Sequence, residues 1–239
     1  MKRSQVDEAI NTAIAFFRVF GFSLPAYAYW SPADWLVNQK NITEVLDLGL
    51  GWDVTDFGSG NLSRVGRTIF TLRNGRQDLD YPKSYAQKVI YMPEGQRSII
   101  HYHRSKMEDI FNQGGGNILI ELWPVARDNN PSSDGLELSI SGIKSHVAAG
   151  VTICLTPGNW VCIPPNTYHR FWAEEGHGPV LSTEISTVCN DYLDNVFWPV
   201  GVRFPPIEED TSAQYVLCNE YGLLTKQLHN QSVFKSFEK

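Results

Sequence analysis

The chain has 239 residues, a formal net charge of −6, 42% hydrophobic and 19% charged residues. That length fits one large domain or two small ones, and that composition suits a packed core and excludes disorder. No basic patch marks a nucleic-acid partner and no run of about 18 apolar residues marks a membrane span, so neither partner is expected.

The first residues, "MKRSQVDEAINTAIAFFRVFGF", are interrupted by Asp7, Glu8 and Asn11 and do not read as a signal peptide. Val6, Ile10, Ala13, Ile14 and Phe17 recur at helical spacing. They predict an amphipathic helix over 4–19, capped by Ser4 and ended by Gly21. Ser31 and Pro32 open a second helix to about Asn38, and "NITEVLDLGL" predicts a further turn capped by Asn41 or Thr43.

"SRVGRTIFTLRNGR" ends in Asn74-Gly75, the strongest short hairpin signal. From about residue 85, short alternating runs follow one another: "YAQKVIYM", "RSIIHYH", "NILIELW", "LELSIS", "VTICLTPG", "NWVCIPP", "TYHRFWA" and "VLSTEIST". Glycines and prolines punctuate them, which predicts a mainly β sandwich or barrel. The expected organisation is a single domain, 1–239. Residues 1–50 form a helical extension packed on a barrel whose core is about 85–200. Cys154, Cys162, Cys189 and Cys218 show no CxxC spacing and are expected as buried free thiols in a reducing cytoplasm.

Residues i and i+2 of a strand share a face, so "RSIIHYH" projects His101 and His103 together. Glu108 follows just past the strand end and adds a carboxylate. Gly114, Gly115 and Gly116 predict a tight turn. A second stretch, "GNWVCIPPNTYHRFW", presents His169.

The two stretches resemble the two motifs of the cupin superfamily. The first, G-x5-H-x-H-x4-E-x6-G, is met by Gly95, His101, His103, Glu108 and Gly115. The second, G-x5-P-x-G-x2-H, is met by Gly158, Pro164 and His169, with Asn166 where glycine is usual. Asparagine tolerates the left-handed conformation better than most residues, so the departure is mild. The resemblance implies a cupin-type jelly-roll barrel in which His101, His103, Glu108 and His169 hold a metal. Such donors fit divalent Mn, Fe, Co, Ni or Zn. Open positions on the ion suit a substrate that chelates through two neighbouring oxygens. His146, His177 and His229 lack this context and read as surface residues.

Beyond the ligands, "HYHRSKMEDIFNQGGGNILIELW", "TEISTVCNDYLDN", "RFPPIEED" and "LCNEY" resemble the D-lyxose isomerase family. That resemblance implies metal-dependent interconversion of D-lyxose with D-xylulose and of D-mannose with D-fructose. It implies Mn2+ as the preferred ion. The chemistry passes through a metal-stabilised enediolate or by direct hydride shift.

Lys106 lies between two expected ligands and is a candidate to donate to a sugar oxygen or to offset enediolate charge. Glu184 shares a strand face with Ser182 and Ser186, and a carboxylate inside a barrel is costly without a partner. A catalytic role is expected for it, with Glu208 and Glu209 of "IEED" as rivals for the acid–base. Arg203 is expected to hold sugar hydroxyls or to pair with one of these acids. Trp123, Phe171 and Trp172 read as core packing. Cupins commonly pair through their strands, so a homodimer is expected. Two other functions compete: a cupin dioxygenase using Fe2+, and a noncatalytic sugar-binding cupin. Anaerobic turnover of D-lyxose excludes the first, and any turnover excludes the second.

Overall fold

The N-terminal periodicity folds as α1 (Arg3–Val19), which buries Val6, Ile10, Ala13, Ile14 and Phe17 along one side. The structure is a computed structural model and describes residues 1–224. Ser4 does not cap α1. Its backbone N–H and its hydroxyl instead donate to Asp210, at 2.9 and 2.7 Å. A distant carboxylate thus satisfies one of the free N–H groups at the helix start. Gly21, at φ +64°, follows the helix end as expected. α2 (Pro32–Val37) is capped by Ser31, whose hydroxyl accepts the Asp34 N–H at 3.3 Å. α3 (Thr43–Asp47) has no side-chain cap, so neither Asn41 nor Thr43 fills that role.

Thirteen strands follow: β1 (Gly51–Thr55), β2 (Arg67–Arg73), β3 (Tyr85–Met92), β4 (Ile100–His103), β5 (Glu108–Gly115), β6 (Ile118–Pro124), β7 (Leu136–Ile140), β8 (Ile143–Val147), β9 (Ile153–Leu155), β10 (Trp160–Ile163), β11 (Thr167–Ala173), β12 (Val180–Thr187) and β13 (Asn195–Trp198). They form an eight-stranded sheet, ordered β1-β2-β3-β12-β5-β10-β7-β8, and a five-stranded sheet, ordered β13-β4-β11-β6-β9. The two antiparallel sheets build the cupin-type barrel, with the N-terminal helices outside it. β1, β5, β8 and β13 were not among the runs that stand out by alternation.

β2 and β3 are neighbours, yet Asn74-Gly75 does not make a two-residue turn between them. The connection runs from 74 to 84. The Asn74 side chain donates to the Cys189 carbonyl at 2.9 Å. A Cβ on Gly75 would lie 1.6 Å from the Lys83 carbonyl oxygen. The glycine is there because another backbone crosses it closely, which is its other use in a strand setting.

β3 explains how the site is placed. Both of its faces are covered. Val89 and Tyr91 face outward and join Phe17 of α1, Trp52 and Phe70 in one apolar cluster. Ile90 and Met92 face inward with Ile69, Ile110, Ile120 and Phe171. Each such side chain contributes about 1.5–3 kcal/mol when buried. The inward face then changes character along the strand, because Lys88 precedes Ile90 on it and is buried. The barrel interior is therefore apolar at one end and charged at the other.

Among the described residues all four cysteines are free, but Cys154 is exposed and the others are half-buried rather than fully covered. No described helix is long and apolar enough to cross a membrane. His146 and His177 are exposed. His229 lies outside the described residues.

Candidate metal centre and active site

β4 and β11 are paired so that His101 stands directly opposite His169. Their ring centroids are 4.3 Å apart, and those of His101 and His103 are 5.1 Å apart. Tyr102 points the other way and packs on Tyr168 at 4.8 Å. Asn166 takes φ +58° in the turn before β11, the left-handed conformation that its motif position calls for. Its backbone N–H donates to the His103 carbonyl at 2.8 Å, which fixes the two histidine strands together. Glu108 lies past the end of β4, as expected, and is itself the first residue of β5, inward-facing and buried.

The donor atoms can be tested for an ion. Nδ1 of His101 lies 3.0 Å from the Ile99 carbonyl, and Nδ1 of His169 lies 3.0 Å from the Thr167 carbonyl. A carbonyl only accepts, so each Nδ1 carries the proton and each Nε2 is left as a lone pair. His169 Nε2 faces Glu108 Oε1 at 2.9 Å, and both atoms are buried without a hydrogen bond. Two acceptors held at that distance repel one another unless positive charge lies between them. One ligand nitrogen from each of the three histidines falls within 4.8 Å of the others. Three imidazole nitrogens and one carboxylate oxygen fit a divalent ion.

The electrostatics agree with that use. Burial, then the neighbouring His169 and His103 rings, holds His101 well below its ordinary 6.5, so it is a neutral ligand. Burial, then the Lys106 ammonium, lowers His103 as well. Burial pushes the Glu108 carboxyl up, but Lys106 and then His103 outweigh it and hold the group well below 4.5. A site in which the His101 and His103 imidazoles are neutral and the Glu108 carboxyl is ionised is ready to bind a cation.

Lys106 extends the centre inward. Its Nζ donates to Glu108 Oε2 at 2.6 Å and to Glu184 Oε1 at 2.7 Å. The lysine turn is itself fixed by Asp194, which accepts from the Ser105 N–H at 2.8 Å, the Ser105 hydroxyl at 2.7 Å and the Lys106 N–H at 3.1 Å. Glu184 is opposite Lys88 in the β12–β3 register, and Lys88 Nζ lies 3.7 Å from its carboxylate. Lys88 Nζ also contacts Asp191 at 3.1 Å. Asp191 lies 3.3 Å from Arg203, and Arg203 pairs with Asp53.

Seven buried or nearly buried charges thus alternate in sign from Glu108 to Asp53. Burial alone would lower both lysines, but Glu108 and Glu184 around Lys106, and Asp191 ahead of the other partners around Lys88, raise both above their ordinary values. Alternation is what makes the arrangement tolerable, since an unpaired buried charge costs several kcal/mol, of order 3–5.

His101, His103, Glu108, Lys106, Glu184 and Arg203 line one cavity, together with Lys88 and Asp191. His169 closes the histidine set beside them. The structure does not bring Glu208 there. Glu208 is exposed, and its backbone carbonyl accepts from the Arg3 N–H at 2.9 Å while its N–H donates to the Met1 carbonyl. Glu209 pairs with Arg3 at 2.7 Å on the same remote side. The rival acids are thus taken up in docking α1, and Glu184 is the one at the cavity. Phe171 lines the cavity, whereas Trp172 packs outward under Arg97, whose guanidinium carbon sits 4.3 Å from the ring centroid. Trp123 is half-buried beside Gly150, away from the cavity.

Sequence reasoning missed Lys88, Asp191 and Asp194. It also missed Phe57 and Phe197, which pack on each other at 5.8 Å, with Phe197 lying 5.8 Å from the His101 ring. Lys88 had a signal: it sits on the same alternating face as Ile90 and Met92. Asp191 and Asp194 lie in "TEISTVCNDYLDN", which carries the family resemblance, but they and Phe197 had no local signal, because the loop and short strand that carry them show no periodicity.

Gly114 and Gly115 end β5 rather than forming a free turn. Gly115 has φ +93°, and a Cβ on it would lie 2.2 Å from the Pro179 carbonyl oxygen. Gly115 lets β5 pass the start of β12 closely, near the register shift between Leu181 and Ser182, whereas a Cβ on Gly114 would meet the Phe20 ring at 2.6 Å. They are far along β5 from Glu108 and do not line the cavity.

A two-sheet barrel with a buried three-histidine, one-carboxylate centre defines a cupin-type protein, and the acid–base chain beside that centre suits an enzyme. The chain belongs to the D-lyxose isomerase family, whose model matches residues 1–221. A D-lyxose/D-mannose isomerase of Escherichia coli O157:H7 is 42% identical over 223 residues, covering 92% of this chain and 98% of its own. A protein of the same description from Serratia proteamaculans shows the same identity and coverage. The L-ribose isomerase of Cellulomonas parahominis, solved with L-ribose, superposes with a TM-score of 0.56 at 14% identity. That match covers 87% of this chain and 98% of that one, and it shows the shared barrel fold.

Proposed function

We propose that the protein interconverts D-lyxose with D-xylulose and, at the same centre, D-mannose with D-fructose. One observation carries the reading: Lys106 joins the histidine–carboxylate centre to Glu184 through contacts of 2.6 and 2.7 Å inside the barrel cavity. Aldose–ketose isomerisation needs three things at one place: charge at two neighbouring oxygens, a donor to them, and a base between two carbons. His101, His103, His169 and Glu108 would hold a divalent ion, Mn2+ in the family reading, and that ion supplies Lewis-acid charge to the sugar oxygens when bound.

The chain's own residues do the rest. Glu184 takes the proton from C2 of the aldose and returns it to C1, while the hydroxyl proton passes from O2 to O1. Lys106, a permanent ammonium, donates to a sugar oxygen and offsets the negative charge that forms as the C2 proton leaves. Arg203 and Asp191 keep Lys88 and Glu184 in place behind it. Phe57 and Phe197 wall the histidine side with apolar surface and exclude water from the reacting carbons. The free thiols support a reducing, cytoplasmic setting. The exposed Tyr192, Leu193 and Val200 offer apolar surface for a homodimer.

The test is an assay of metal-stripped and Mn2+-reloaded protein on D-lyxose and D-mannose. Ketose is expected only with the ion restored. No ketose with any divalent ion tried removes the reading.

A further inference from the structure

Arg67 opens β2, is 3% exposed, and lines the cavity with His101, His103 and Glu108. The other buried cations there each touch carboxylates: Lys106 touches Glu108 and Glu184, Lys88 touches Glu184 and Asp191, and Arg203 touches Asp53 and Asp191. Arg67 has no carboxylate partner among the described residues. Its guanidinium donates to the carbonyls of Gly66, Gln96 and Phe171. Its guanidinium carbon lies 4.2 Å from the Phe171 ring centroid.

A guanidinium has five N–H donors. Three meet carbonyls, two from Nη1 and one from Nη2, which leaves the Nε–H and the second Nη2–H without a protein acceptor among the described residues. Carbonyl dipoles and a ring face soften a buried charge without cancelling it. Burial accordingly pulls the Arg67 pKa down to about 9. The Phe171 ring also stacks near His169 at 6.4 Å, so the guanidinium is one aromatic ring away from the histidines.

The charge balance points the same way. The chain from Glu108 to Asp53 holds four carboxylates and three cations, formally one negative charge over. A divalent ion at the histidines turns that excess positive. Arg67 then adds to the surplus rather than offsetting it. A cavity with surplus positive charge and spare donors is complementary to an anion.

We infer that Arg67 is an anion-binding group of this cavity and that the ligand class it takes is a sugar-sized polyhydroxy carboxylate, an aldonate. Resting on the isomerase reading, the same guanidinium steadies the negative oxygen that develops during proton transfer. The binding claim itself does not need turnover.

The experiment compares D-lyxonate with its uncharged counterpart D-arabinitol, by calorimetric titration of the Mn2+-loaded full chain. The wild type should prefer lyxonate. Arg67→Gln should weaken lyxonate about 10- to 100-fold, the worth of hydrogen bonds to a charged group, and leave arabinitol within about twofold. Arg67→Lys should restore part of the preference, short of the wild type because a lysine lacks the planar fork.

Equal weakening of both ligands, or none, overturns the inference and returns Arg67 to a structural role. If circular dichroism shows that Arg67→Gln does not fold, Arg67→Lys decides: it should lower the lyxonate preference at least about threefold, and an unchanged preference overturns the inference. Failure of the loaded wild type to form ketose from D-lyxose would sink the isomerase reading alone, because the lyxonate preference is read without turnover.

Discussion

Two ion-pair networks in this molecule are made of the same parts and serve different ends. Outside the barrel, Arg3 pairs with Glu209 at 2.7 Å and with Glu220, and the Glu209 side chain is 58% exposed. Inside it, Lys106 joins Glu108 and Glu184, whose side chains are 2% and 7% exposed. The outer network docks α1 against the segment around residue 209. Water screens Glu209, so that contact is worth about 0–1 kcal/mol. The inner network meets a low dielectric, where each charge depends on its neighbours. Its members also line a cavity, so in the proposed reaction the Lys106 ammonium would exchange a protein oxygen for a sugar oxygen without leaving a charge bare. Ionic contacts alone do not mark an active site, and burial beside a cavity is what separates the two.

The comparison is most exposed to failure at the metal ligands. His169→Ala removes a buried nitrogen that faces Glu108. It should lose bound Mn2+, measured by plasma mass spectrometry after gel filtration, and lower D-lyxose turnover by more than about 10³-fold. Retention of both metal and turnover would show that the histidine set is packing.

A smaller effect separates the two networks directly. Glu184→Gln should keep its metal and lose about 10²–10⁴-fold in kcat, the usual worth of a positioned acid–base group. Glu209→Gln should stay within about twofold of the parent, as exposed substitutions do. The reverse pattern, with Glu209→Gln inactive and Glu184→Gln active, would place the acid–base outside the barrel and break the comparison.

The asymmetry between the networks also sets what could be read from sequence. His101 and His103 declare themselves because a two-residue spacing on a strand has one geometric outcome. His169 and Asn166 are legible through the resemblance to the second cupin motif, because a single histidine carries no spacing of its own. The barrel is legible for the same reason as the His101 and His103 pair, since alternation in β3, β6, β11 and β12 reflects one buried face. Where both faces are covered, alternation fades. β1 reads "GWDVT" and is buried at every position, so it gives no period-two signal.

β5 hides for another reason. Its glycines look like a turn, but Gly115 is needed where β5 passes the start of β12 and Gly114 where the Phe20 ring packs against it. The choice among Glu184, Glu208 and Glu209 could not be made from sequence, because it depends on which network each carboxylate joins. That is decided by contacts between residues far apart in the chain, such as Arg3 with Glu209, 206 positions away. Among the inner members that sequence reading overlooked, Lys88 was the one with a local signal, a lysine in phase with Ile90 and Met92.

The smallest effect concerns pH. Burial pushes the Asp191 carboxyl up, but Lys88 and then Arg203 outweigh it and hold it well below its ordinary 3.8. A carboxyl depressed in the folded state contributes stability that is fully present above its unfolded pKa and is lost as pH falls through its folded pKa. The wild type should therefore exceed Asp191→Asn in urea midpoint by its widest margin at about pH 5 and above, and the margin should shrink toward about pH 3. Glu209 is also lowered, chiefly by its hydrogen bond to Arg3. Its exposure screens the interaction, so the margin between the wild type and Glu209→Gln should be small at every pH. Tryptophan fluorescence during urea unfolding reads both margins in one series. A constant margin for Asp191→Asn would mean that Lys88 and Arg203 do not hold Asp191 ionised, and the inner network would then be no more than a buried version of the outer one.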